Sequence, residues 1–187
     1  MTSELEAQFE TIYMNHIAPA KPHFIDDLPV PKWAFLTWLV NTKRILLHGT
    51  GEADIALFEP RSPNDNSPDD FSKQKAVFAA GDGIWPIFYA IVDRQNYTLR
   101  MLNGALQFQL PKGFSEMRYF FSITKPAFEQ YPFRQGTVYV LPKMGFQRQP
   151  LTRLGNGMVL EPQWASPKEV QPLAKLTVTP EDFPFLK

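Results

Sequence analysis

The stretch from Arg44 to Gly51, R-I-L-L-H-G-T-G, constrains this chain more than any other. A run of β-branched and leucine side chains stops abruptly at His48, and two glycines then flank Thr50. Such a run bounded by glycine reads as a buried strand ending in a turn. A second unit of the same kind, Ala76 to Gly81 (A-V-F-A-A-G), follows after a long polar loop. The two strand ends are expected to form the walls of one site.

The surrounding pattern sets the fold class. Over residues 3–17, Leu5, Phe9, Ile12, Tyr13 and Ile17 share the spacing of one helical face, with Ser3 placed to cap it. His16, at its end, reads as a partner of the helix dipole. Pro19, Pro22, Pro29 and Pro31 then break the chain into an extended connector. From Pro31 to Thr42 proline stands in a first turn and apolar residues occupy nearly every face, which predicts a short buried helix. Residues 1–43 are therefore expected to pack on the body as a helical extension, and residues 44–187 to form the main domain.

After Gly51, the segment G-E-A-D-I-A-L-F-E-P-R reads as a short helical piece. The polar, proline-bearing S-P-N-D-N-S-P-D-D that follows reads as a surface insertion, with a lid over the site as the alternative. Beyond Gly81, Asp82 caps a buried helix that has Pro86 in its first turn and carries Phe88, Tyr89, Ile91 and Val92. An Asn103-Gly104 pair between two apolar runs predicts a hairpin over 97–110. Further strands are expected at 117–124, 136–141 and 173–179, and the terminal E-D-F-P-F-L is apolar enough to dock on the body. Helices early and strands later give an α+β fold with a mixed, largely antiparallel, split sheet.

Composition excludes whole classes of function. The formal net charge is zero and no basic run exceeds Lys43-Arg44. Bulk duplex nucleic acid is thus not an expected partner, because each phosphate contact needs a cation. No apolar run approaches the length that spans a bilayer, and the acidic start M-T-S-E-L-E differs from a signal peptide; a cytoplasmic protein without a membrane partner is expected. The chain has no cysteine, so disulfides and thiol chemistry are excluded. Aromatic residues make up 14% of the chain, enough to fill a core and also to line a pocket for a flat ligand.

Most catalytic motifs are missing. There is no P-loop and no G-x-S-x-G elbow. Gly49-Thr50-Gly51 starts a dinucleotide fingerprint but meets Asp54 where the third glycine belongs. A metal site would have to be assembled from His16, His23, His48 and carboxylates without the close pairing that such sites show, so none is expected. The adjacent carboxylates Asp26-Asp27, Asp69-Asp70 and Glu181-Asp182 read as solvated charge.

What remains is His48-Gly49-Thr50 at a strand end, with Phe78 in V-F-A-A and Tyr89 on the helix that follows. In order and separation these positions resemble the polymerase-like branch of the ADP-ribosyltransferase superfamily, that of diphtheria-toxin-like and poly-ADP-ribose-polymerase catalytic domains. The resemblance implies an ADP-ribosyltransferase-like domain that takes NAD as substrate and passes ADP-ribose to an acceptor the sequence does not identify. It implies that His48 orients ribose, that Gly49 holds the carboxamide with Thr50 also among the NAD-binding residues, and that Phe78 and Tyr89 enclose the nicotinamide ring. A carboxylate must also steady the cation that grows on the sugar. The family places a glutamate for this at the start of a late strand, and the candidates here are Glu161 and Gln163 in V-L-E-P-Q-W. If extended, the two point to one side. Glutamine cannot neutralise a cation, so a site resting on Gln163 binds NAD better than it transfers from it. Phe78 stands where the family has tyrosine, and Pro86 stands where a serine often contacts the carboxamide. Three readings follow: a transferase or NAD glycohydrolase, an inactive nucleotide-binding or protein-interaction module on the same scaffold, and an unrelated aromatic-rich α+β domain.

Overall fold

The computed structural model describes residues 2–20, 23–63 and 69–186. In chain order these form α1 (Ser3–Ile12), a π-helical turn (Tyr13–Ile17), β1 (Phe24–Ile25), α2 (Lys32–Thr42), β2 (Ile45–Thr50), a 3-10 turn (Phe71–Lys73), β3 (Val77–Ala80) and α3 (Trp85–Ile91). There follow β4 (Met101–Phe108), β5 (Arg118–Ile123), α4 (Lys125–Phe128), β6 (Gly136–Pro142), β7 (Gln147–Arg148), β8 (Thr152–Leu154), β9 (Gly157–Leu160), β10 (Gln163–Ser166), β11 (Ala174–Val178) and a 3-10 turn (Pro180–Asp182). The lid alternative falls in large part on 64–68, outside the described residues.

The architecture is α+β. A seven-stranded sheet runs β1-β11-β6-β2-β3-β10-β7, and a four-stranded antiparallel sheet runs β5-β4-β9-β8. In the large sheet β1 and β11 pair parallel and the other neighbours antiparallel, so the sheet is mixed and largely antiparallel. No helix among the described residues is long and apolar enough to cross a membrane.

Helical starts follow local chemistry. Thr2, not Ser3, caps α1, its side chain accepting the Leu5 N–H at 3.4 Å. Pro31 directly precedes α2, whose Phe35, Leu36, Trp38 and Leu39 are buried. Ile84, not Asp82, stands at the N-cap of α3; Asp82, two residues earlier, accepts the backbone N–H groups of Ile84 (2.9 Å) and Trp85 (2.6 Å) and so anchors the helix start. Phe9, Phe35, Leu36 and Leu39 share one apolar cluster with Ile45 and Leu47 of β2, Val138 and Val140 of β6, and Ile87 and Phe88 of α3. The N-terminal helices thus supply part of the same core as the sheet.

Alternation along β2 decides which side chain meets which layer. Leu47 faces the helices, while Leu46 joins Phe58, Val77, Tyr139 and Phe146 on the other face. Gly49 faces α3 so closely that a Cβ there would stand 1.7 Å from the Pro86 carbonyl oxygen. Only glycine fits at that crossing, whatever its backbone freedom.

Two local expectations are corrected. Asn103-Gly104 is not a hairpin turn but lies inside β4. Asn103 Oδ1 accepts the Trp85 indole N–H at 2.6 Å, and a Cβ on Gly104 would come within 2.7 Å of the Phe120 ring that crosses it. The segment after Gly51 is not helical: Phe58 bridges Val170 in both directions at 2.9 Å, and the Ile55 N–H is taken by the Tyr139 hydroxyl at 2.9 Å. Tertiary partners there claim the backbone groups a helix needs.

Candidate functional site

The strands carrying the three sequence motifs lie side by side in the order β2-β3-β10. In register, Leu47 opposes Ala80 and Ala80 opposes Gln163. Gln163 therefore lies two strand spacings, about 10 Å, from β2. Glu161 lies two residues further toward the Gly81 end, so Gln163 is nearer to the His48 row, but in register with Leu47 and Ala80 it points to the face away from His48. The Gln163 side-chain oxygen accepts the Ser72 hydroxyl at 3.4 Å.

The contact between β2 and β3 is unusual. Six registered pairs join β2 to β6, from Ile45↔Pro142 to Thr50↔Thr137, but Leu47↔Ala80 alone joins β2 to β3. Just past that pair, the His48 ring donates Nδ1–H to the Phe78 carbonyl at 2.7 Å. A carbonyl oxygen only accepts, so the bond fixes the tautomer and leaves Nε2 with its lone pair. The imidazole is half-buried and meets the Phe58 ring edge-on at 4.9 Å; Phe58 in turn meets Tyr139 at 5.0 Å. Burial holds the His48 pKa below its ordinary 6.5; the bond to Phe78 opposes this, and the charges of Arg94 and Arg61 add to the lowering.

The structure does not gather all the motif residues on one side. His48 leaves the sheet toward Phe58 and Tyr139, whereas α3, which carries Tyr89, packs on the face that Gly49 presents. The ring of Tyr89 meets Trp85 and Phe88, and the ring of Phe78 meets Phe71 across the short turn that precedes β3. Because β2 and β3 run antiparallel, the strand ends at Gly51 and Gly81 stand at opposite margins of the sheet. They do not form two walls of one site, and this corrects the first expectation drawn from the sequence.

Each margin has its own concavity. Beside Thr50 and Gly51 lies a cavity of about 260 Å³ lined also by Glu52, Arg94, Gln95 and Arg134. Arg94 belongs to two neighbourhoods: its guanidinium lies 5.8 Å from the Tyr89 ring centre, and its charge reaches His48. Arg134 Nε is buried without a hydrogen bond, 3.7 Å from Asp93 Oδ1. Around Gly81 lies a larger cleft of about 370 Å³, with Asp82, Tyr119, Lys143, Arg148 and Trp164 among its lining residues. Tyr119 donates its hydroxyl to Asp82 Oδ2 at 2.5 Å; burial raises the pKa of both groups, and the Asp82 charge raises that of Tyr119 further. Sequence reasoning passed over Lys143 and Arg148 because nothing in their spacing announces that both meet Trp164. Among the described residues, no group of three or more His, Asp or Glu side chains is placed to hold a metal ion.

A scan against protein-family models, a search of curated proteins and a search of solved structures each returned no match.

Proposed function

We propose that the chain is an NAD-binding protein of ADP-ribosyltransferase-like design in which binding outweighs transfer. The observation that carries this reading is the adjacency of β2, β3 and β10, tied by the His48–Phe78 hydrogen bond at the point where the β2–β3 ladder opens. His48 Nε2 offers a lone pair to a ribose hydroxyl, and the ladder opens beside the Gly49 backbone. The cavity next to Thr50, with Arg94 and Arg134 on its wall, suits a phosphate-bearing fragment. At about 260 Å³ it is smaller than the usual 300–1,000 Å³ of a ligand pocket, so it takes part of a dinucleotide and leaves the rest along the surface.

Gln163 in the place of an acid favours binding over chemistry. A carboxamide orients a hydroxyl but does not offset the positive charge that develops on the ribose. NAD at a hundred times its dissociation constant should stabilise the fold by about 2.7 kcal/mol, read as a rise in melting temperature. The native chain should release little nicotinamide, Gln163→Glu should release more, and His48→Ala should lose the NAD-dependent shift. Absence of any NAD-dependent stabilisation in the native chain sinks the reading.

A protein-interaction role on the same scaffold rests on a separate observation. Leu102 and Phe120 lie exposed on the outer face of β4 and β5, at 68% and 42% of their surface. Loss of pull-down partners in Leu102→Lys, with the NAD response intact, would assign that face to a partner.

A further inference from the structure

The cleft around Gly81 holds a charge arrangement that the nucleotide reading does not use. Lys143 Nζ stands 4.2 Å from the centre of the Trp164 ring system, and the Arg148 guanidinium stands 5.8 Å from it. The main chain carrying each cation is anchored. Arg148 on β7 directly opposes Trp164 on β10, and the Lys143 N–H donates to the Arg44 carbonyl at 3.1 Å. Among the described residues, no carboxylate comes within ion-pair distance of either. Burial lowers the pKa of Arg148, as expected for a guanidinium partly withdrawn from water beside no counter-charge. The carboxylate that lines the cleft, Asp82, is already engaged by two backbone N–H groups and the Tyr119 hydroxyl.

The lining also carries neutral polar side chains. Asn41 of α2 and Gln107 of β4 are among them, and Gln107 donates an amide N–H to the Ser115 carbonyl at 2.9 Å. Amide groups of this kind exchange hydrogen bonds with hydroxyls. At about 370 Å³ the cleft falls within the range of small-molecule pockets. Two cations beside one indole, neither with a carboxylate partner among the described residues, call for a ligand with about two negative charges, which a phosphate monoester carries at neutral pH. Arginine adds a fork that matches phosphate oxygens, and lysine adds a point charge.

From this geometry we propose that the cleft binds a small phosphate monoester with a hydroxyl-rich body, the phosphate on Lys143 and Arg148 and the hydroxyls against Asn41 and Gln107. Trp164 holds the two cations in place between ligands. The cleft lies at the margin opposite the Thr50–Gly51 cavity, although Pro162 and Trp164 on its lining flank Gln163 of the NAD reading.

The test follows the Trp164 indole N–H resonance of the full chain in phosphate-free buffer, assigned with Trp164→Phe. The probes are ribose 5-phosphate, ribose and succinate. Ribose 5-phosphate should shift the resonance saturably, and both ribose and succinate should bind at least tenfold more weakly. The double variant Lys143→Ala/Arg148→Ala should lose at least tenfold in affinity while the other indole resonances, from Trp33, Trp38 and Trp85, keep their positions and so report an intact fold. The proposal is overturned if ribose 5-phosphate gives no saturable shift, if ribose or succinate binds equally well, or if the folded double variant binds as the native chain does.

Discussion

The two flanks of β2 are held by different means. Toward β6 six residue pairs stand in register, and Leu46, Leu47, Tyr139, Val140 and Leu141 are buried between layers. Toward β3 one pair stands in register, after which a side chain, His48, supplies the bond to the Phe78 carbonyl. The closed flank rests on burial, which is non-directional and large. The open flank rests on a directional contact of small net worth.

Breaking the closed flank should have the largest effect. Leu141→Ala, at a fully buried position, is expected to cost about 2–5 kcal/mol, read as a lower urea midpoint with unchanged slope. Gly49→Ala should come next, near the upper end of the roughly 1–3 kcal/mol typical of overpacking, because its methyl group meets the Pro86 backbone and not a flexible side chain. If it is tolerated without loss, α3 does not cross β2 as described. On the open flank, His48→Leu leaves the Phe78 carbonyl without its donor and should cost about 1–3 kcal/mol, whereas His48→Asn, whose amide N–H reaches a similar point, should cost less. Equal losses in the two variants would show that the ring packs there and the hydrogen bond contributes nothing.

The pH dependence is the finest of these probes. The folded state holds His48 below its ordinary 6.5, so on acidification the unfolded chain takes up that proton first. The His48 contribution is therefore full above about pH 6.5 and declines as the pH falls below it. Unfolding at pH 7.5 and pH 5.5 should show a steeper acid loss for the native chain than for His48→Asn. Parallel losses would place the acid sensitivity in another group.

Part of this organisation was legible in the residues. The burial of β2, the buried helix after Pro31, the buried α3 with Pro86 in its first turn, and strands near β5, β6 and β11 follow from local periodicity and turn chemistry, because each depends on neighbours a few positions away. The Asn103-Gly104 pair misleads for a physical reason: that dipeptide serves a tight turn, yet here asparagine satisfies the Trp85 indole and glycine makes room for Phe120. The site was legible in smaller part. The strands bearing His48, Phe78 and Gln163 lie side by side, a neighbour order that local spacing does not specify. The facing of Tyr89 away from His48, and the meeting of Lys143 and Arg148 on Trp164, depend on register between distant segments.

The sequence by itself determined an α+β chain with early helices and a buried strand cut short at His48-Gly49-Thr50, because hydrophobic period and turn chemistry are local. Tertiary structure alone decided that β2 pairs fully on one side and barely on the other, that the two glycine-marked strand ends point to opposite margins, and that two cations share one indole. Strand order and register are set by how whole layers bury together, and a shift of one residue turns each side chain to the other face.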